Sequence, residues 1–177
     1  MTSVFDLAAP DDKKATQRCQ CGFSGDPLHE CTCTPPLIQR YLARISGPLL
    51  DRIDLHIQVP AVKYKELAQD EKAEESATIR ERILAARDIQ GRRLAPYGLY
   101  CNAQMTPRTL RRFCKLDAEC EKQMENAITK LGLSARAYDR ILRVSRTMAD
   151  LEGSDKIQAR HVAEAIQYRT LDRVCWQ

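Results

Sequence analysis

The chain has 177 residues, with 28 Lys+Arg against 24 Asp+Glu for a formal net charge of +4, and it is 44% hydrophobic and 29% charged. This allows one domain, or one plus an appendage, with apolar content enough for a packed core, and 7 Gly and 8 Pro exclude a collagen-like or low-complexity chain. No run approaches the ~18 apolar residues of a membrane span, and Met1–Pro10 lacks the basic and apolar regions of a secretion signal, so a cytoplasmic protein without a membrane partner is expected.

Residues 1–18 are weakly patterned and read as disordered or unassigned. Cys19, Cys21, Cys31 and Cys33 follow within fifteen residues, with Gly22, Gly25 and Pro27 as turn formers. Thr34-Pro35 is an N-cap followed by proline at the first helical position. Leu37, Ile38, Tyr41, Leu42 and Ile45 recur at helical spacing, and Ser46-Gly47-Pro48 stops that helix, leaving a short turn at Leu49–Asp51. Ile53, Leu55, Ile57 and Val59 alternate with polar residues up to Pro60, which is the period of a strand. It is the one convincing strand signal, and a lone strand needs partners for its edges.

Residues 61–75 read as a charged linker, and helices follow. Ile79, Ile83, Leu84 and Ala86 carry one to about Gly91. Thr106-Pro107 opens a short helix with Leu110 and Phe113. Asp117 caps the next, which places Cys120, Met124, Ala127, Ile128 and Leu131 inward and ends at Gly132. Ser134 caps another, with Tyr138, Ile141, Leu142, Ser145, Met148 and Ala149 inward and Gly153 at its end. A last helix runs from about Gln158, burying Val162, Ala165, Ile166 and Leu171. Short connections imply antiparallel neighbours. The expected fold is mainly α: a helical bundle over 76–177, preceded over 19–60 by a cysteine-rich loop and a small α/β piece with one strand.

Three groups of residues carry possible chemistry. Four thiolates from Cys19, Cys21, Cys31 and Cys33 can bind one Zn²⁺ tetrahedrally as a structural site. Cys-x-Cys pairs constrain that geometry more tightly than the usual Cys-x₂-Cys, His29 can replace one thiolate, and a relic loop or redox-active thiols are the alternatives. Cys101, Cys114, Cys120 and Cys175 read as small apolar residues.

Arg52 sits on a short turn between helix and strand. From there it can project from a domain edge, as an arginine that reaches a neighbouring γ-phosphate in ring ATPases must; pairing with Asp51 or Asp54 is the simpler account. Arg136 falls in the first turn of its helix, where free amides and the helix dipole favour an anion. Arg140, Arg143 and Arg146 read as the solvated face of the same helix.

Charge is uneven along the chain. Residues 76–177 hold 19 Lys+Arg and 12 Asp+Glu, whereas residues 1–75 hold 9 and 12. A basic C-terminal half suits a phosphate-bearing partner; a solvated arginine surface on a bundle is the simpler account. Arg92-Arg93, Arg108 and Arg111-Arg112 add basic pairs, and 6% aromatic residues leave no stacking platform for bases. His56 and His161 read as structural or surface residues.

Together, Cys21-Gly22 through Asp26-Pro27, His29, Cys31 and Cys33, then Tyr41, Arg44 and Ser46 through His56, then Leu133 through Gly153, resemble the bacterial magnesium-chelatase-like AAA+ ATPases of the competence-associated type. The resemblance runs over about residues 19–175 in unbroken order. It implies that Arg52 is the arginine finger, Arg136 the sensor-2 arginine, residues 76–177 the helical lid, and the cysteine loop a zinc-finger-like insertion. It also implies hexameric motors, acting on branched DNA in the competence-associated members.

Three family features are missing from these residues. No Gly-x₄-Gly-Lys-[Ser/Thr] phosphate loop occurs, and no apolar strand ends in acidic residues to hold Mg²⁺. Where the family has an asparagine-proline step as sensor 1, this sequence reads Ala15-Thr16-Gln17-Arg18. The chain is therefore expected to correspond to the C-terminal third of such an enzyme with a foreign start, its strand belonging to a parallel sheet in the whole protein. It should be inactive alone and need a complete ATPase core or neighbouring subunits for ATP and Mg²⁺. An autonomous zinc-stabilised module binding nucleic acid or protein without nucleotide is the alternative.

Overall fold

In this computed structural model, residues 2–6, 14–17, 19–26, 29–44, 52–59 and 74–169 are described. They fall in two compact units, one drawn from residues 1–71 with 168–177 and the other from residues 72–167. The described residues are mainly helical, in line with the sequence.

The first unit holds strands β1 (Thr2–Asp6), β2 (Lys14–Gln17) and β3 (Leu55–Val59), and helix α1 (Pro35–Leu42). The strand order is β2-β1-β3, and both pairings are antiparallel. Val4 lies opposite Ile57 on one side and Ala15 on the other. The strand legible in the sequence is thus not alone in this chain, and its neighbours run antiparallel to it. They come from the stretch unassigned by sequence, because neither Thr2–Asp6 nor Lys14–Gln17 carries an apolar–polar alternation long enough to register.

Helix α1 begins after Thr34 with Pro35 at its first position, as the Thr-Pro step dictates, and buries none of its residues. The Ser46–Pro48 stop, the turn at Leu49–Asp51 and residues 61–73 of the linker lie outside the described residues.

The second unit is built from α2 (Ser76–Leu94), α3 (Pro107–Phe113), α4 (Ala118–Leu131), α5 (Ala135–Leu151) and α6 (Ala159–Gln167). Its boundaries follow from capping. Thr106, Asp117 and Ser134 each accept a hydrogen bond from a backbone N–H in the first turn of α3, α4 and α5. Gly132 closes α4 at φ 61°, a left-handed position that a side chain disfavours.

The core brings together Leu94, Met105, Leu110, Met124, Ile141 and Val162, each at most 2% exposed. Helix α5 is its axis, packing on α6, α2 and α3, while α4 packs on α6. Cys114 and Cys120 are buried there as small apolar residues, and Cys175 lies outside the described residues, as does Leu171.

The helix expected from Ile79, Ile83, Leu84 and Ala86 forms, with the first three 36%, 47% and 56% exposed and only Ala86, Gln90 and Leu94 buried, in its C-terminal half. One expectation changes. Arg146, expected on a solvated face, is 3% exposed. Its Nε donates to Asp150 Oδ1 at 3.0 Å, and its Nη1 donates to the Asp155 carbonyl at 2.8 Å. Burial is tolerated because every cationic edge meets an acceptor.

Candidate functional site

The tightest constellation is the cysteine cluster. The Sγ atoms of Cys19, Cys21, Cys31 and Cys33 all lie within 4.8 Å of one another. Cys19 to Cys21 is 3.3 Å, Cys21 to Cys31 3.6 Å and Cys19 to Cys31 3.7 Å. Four thiolates about 2.3 Å from a tetrahedral ion lie about 3.8 Å apart, so the donor set fits a four-sulfur metal site.

Backbone turns hold the sulfurs in place. Gly22, at φ 87°, folds its N–H back onto the Cys19 carbonyl at 3.2 Å, and the Ser24 N–H donates to Cys19 Sγ at 3.3 Å. His29 takes no part. Its side chain is 61% exposed, its Nδ1 lies 3.7 Å from Asp26, and its ring packs on Phe23 at 4.9 Å.

Cys21 and Cys31 are pulled in opposite directions. The Phe23 amide, and then Cys19, bring the Cys21 thiol down to about 6. At Cys31 the Cys33 amide favours the thiolate, but desolvation and the neighbouring sulfurs prevail and push the thiol up to about 12. One thiolate thus forms readily and raises the cost of the next, a conflict that a bound cation resolves.

The two arginines singled out in the sequence belong to different units and are both exposed. Arg52 stands on a turn immediately before Ile53, which is 1% exposed, and β3 follows. Arg169, which no pattern in the sequence marks, is 1% exposed and donates through Nη1 to the Ile53 carbonyl. The His56 N–H donates to the Tyr168 carbonyl at 2.9 Å. Tyr168 and Arg169 therefore fix the segment that carries Arg52 at its base.

Arg136 is the second residue of α5, beside the Ser134 cap, whose Oγ accepts from the Ala137 N–H at 3.2 Å. At the other end of α5 lies a polar centre that the sequence reading missed. Asp150, with a fully buried side chain, receives Arg93 at 2.5 Å and Arg146 at 3.0 Å. Asn102 Nδ2 donates to the same carboxylate at 2.8 Å and to Thr147 Oγ1 at 3.0 Å. The Arg146–Asp150 spacing of four was the available signal. His161 is structural, as expected: its Nδ1 accepts from the Gln158 N–H at 3.0 Å, and its Nε2 meets Glu152 at 2.9 Å.

A family model described as magnesium chelatase, subunit ChlI C-terminal, matches residues 73–169, and one described as magnesium chelatase, subunit ChlI, matches residues 13–67. Competence protein ComM of Haemophilus influenzae is 44% identical over 142 residues, covering 80% of this chain and 27% of that protein. The uncharacterized protein YifB of Escherichia coli is 41% identical over 143 residues, 80% of this chain and 28% of its own length. A Mycobacterium tuberculosis protein, Rv2897c, is 32% identical over 155 residues, 88% of this chain and 30% of its own. The chain thus spans under a third of the length of these relatives.

Proposed function

Because the chain belongs to the magnesium chelatase ChlI-like AAA+ family, we propose that it acts as the lid and arginine-finger portion of an ATP-driven remodelling machine. Residues 76–177 form the lid in this reading. Arg52 is the finger that neutralises charge developing on a neighbouring subunit's γ-phosphate, and Arg136 is the sensor-2 arginine that holds the phosphates of the nucleotide. Cys19, Cys21, Cys31 and Cys33 hold a structural Zn²⁺ that pins the loop ahead of α1. The four thiolates fill a tetrahedral ion and leave no open position for catalysis.

One observation carries the reading: both family models match in order along one chain, and the cap at Ser134 presents Arg136 in the first turn of α5. An exposed guanidinium there adds to the free amides and dipole of the helix start, which already favour a phosphate.

ATP and Mg²⁺ bind only where a phosphate loop and acidic strand end are supplied, so the partners are a complete AAA+ core or neighbouring subunits in a hexameric ring, in the cytoplasm. DNA is the remodelled substrate in this reading, which suits a chain with a relative named a competence protein.

Adding the chain to a core segment of such a relative tests this. ATP turnover should rise on addition, and Arg136→Ala should raise the KM for ATP about tenfold or more. Turnover indifferent to the chain contradicts the reading and favours a binding module that works without nucleotide.

A further inference from the structure

The second unit contains a cleft of about 870 Å³ between the C-terminal ends of α2 and α3 and the turn after α5. Its cationic lining is Arg92, Arg93, Arg112, Lys115, Arg146 and Lys156, against only Asp117 and Asp155. Neither Arg52, Arg136 nor the cysteine cluster lines it. Arg136 stands at the opposite end of α5, roughly 15–25 Å away along a helix that rises about 1.5 Å per residue.

The charges in the wall are only partly cancelled locally. Arg93 and Arg146 share one carboxylate, Asp150, so that buried trio carries a net positive charge. Asp117 directs its Oδ1 to the Cys120 N–H at 2.9 Å, as a helix cap. Arg92 reaches out of the wall to Asp88 at 2.5 Å.

Arg112 is oriented by rings rather than by an acid. Its guanidinium lies 5.7 Å from the Tyr97 ring and 5.6 Å from the Phe113 ring. These cation–π contacts hold the guanidinium near the cleft wall without occupying its N–H groups, which can donate to an oxyanion. The cleft therefore combines a ring-flanked guanidinium, exposed ammonium groups and a positive floor.

From this we infer a phosphate-binding site. The cleft takes phosphate groups, either as a free polyphosphate or as consecutive phosphodiesters of a nucleic-acid backbone. Arg112, Lys115 and Lys156 make the direct contacts, and Arg93 and Arg146 supply the field behind them. Its volume admits more than one phosphate.

The test uses the full chain, with pyrophosphate titrated by calorimetry and a fluorescein-labelled oligonucleotide followed by anisotropy across a salt series. Arg112→Ala and Lys156→Ala should each weaken binding about five- to tenfold. Lys156 is exposed and outside the core, so its variant keeps the test valid if loss of the Arg112 stack loosens the fold; thermal melting checks this.

Arg80→Ala, at an exposed arginine near the start of α2 that does not line the cleft, should leave both titrations unchanged. Pyrophosphate binding without oligonucleotide binding identifies a free polyphosphate site. Tighter oligonucleotide binding, with a salt slope that falls by about 0.7–0.9 per contact removed, identifies a backbone site. Failure of both probes to bind, or binding equal in wild type and both cleft variants, overturns the inference. So does a loss caused by Arg136→Ala alone.

Discussion

Cys19 and Cys31, twelve residues apart, bring their sulfurs to 3.7 Å, with Cys19 fully buried in a loop that has little else to pack. A metal bound by the four sulfurs would hold such a loop. Zinc removal by a strong chelator, or Cys21→Ser, should therefore abolish hydrogen-exchange protection at Gly22, Ser24 and Asp26 while the bundle over residues 74–167 keeps its melting transition. The chelator should release one zinc per chain. Simultaneous loss of both units would show that the cluster supports more than its own loop.

Asp150 stabilises the bundle from within, because its carboxylate faces two guanidinium groups in a nearly dry site. Removing one partner of a buried ionic network leaves uncompensated charge and costs about 3–5 kcal/mol. Asp150→Ala should lower unfolding free energy by about that amount in urea titration, far more than Asp88→Ala, whose side chain is 64% exposed. Equal small effects would mean that water or rearranged side chains compensate the buried arginines.

Much of the bundle was legible because its signals are local. Thr106, Asp117 and Ser134 each satisfy a nearby amide, and Gly132 takes the one backbone conformation that ends α4 cleanly. Arg146 was misread because periodicity places a side chain on a face without saying what covers it. The turn at Ser154–Asp155 folds over it and supplies two carbonyls. Ile79, Ile83 and Leu84 marked α2 by their spacing yet stay exposed, since helical spacing of apolar residues promises a stripe but not a partner for it. The cysteines were legible as a cluster; His29 could be separated from them only by the Asp26 and Phe23 contacts that turn it outward. Arg169 had no signal at all, because its partner is a backbone carbonyl 116 residues earlier.

Acid should weaken the bundle in a defined window. The Cys120 amide holds Asp117 below its ordinary 3.8, and His161 holds Glu152 below its ordinary 4.5. Folded values below unfolded ones mean that both contributions are complete above the ordinary values and are lost as pH falls through the lower, folded ones. Melting temperature should be nearly level down to about pH 5 and drop below it. Asp117→Asn keeps a cap but not its titration, so it and Glu152→Gln should each flatten the acid limb. An unchanged slope in both would assign the acid transition to other groups.

Arg169 should act through position. Arg169→Ala is expected to leave the bundle's melting unchanged and to reduce exchange protection of the His56 amide, whose acceptor is the adjacent Tyr168 carbonyl, by about tenfold or more. If His56 stays protected, the Ile53 carbonyl contact does not hold the segment that carries Arg52.

The most direct measurement is steady-state ATP turnover by a relative's AAA+ core supplemented with this chain, wild type against Arg52→Ala. An arginine finger contributes on the order of 10³-fold or more to turnover. The account predicts a fall of that size in kcat, with KM for ATP nearly unchanged and the variant still associating with the core. Turnover equal to wild type would contradict it.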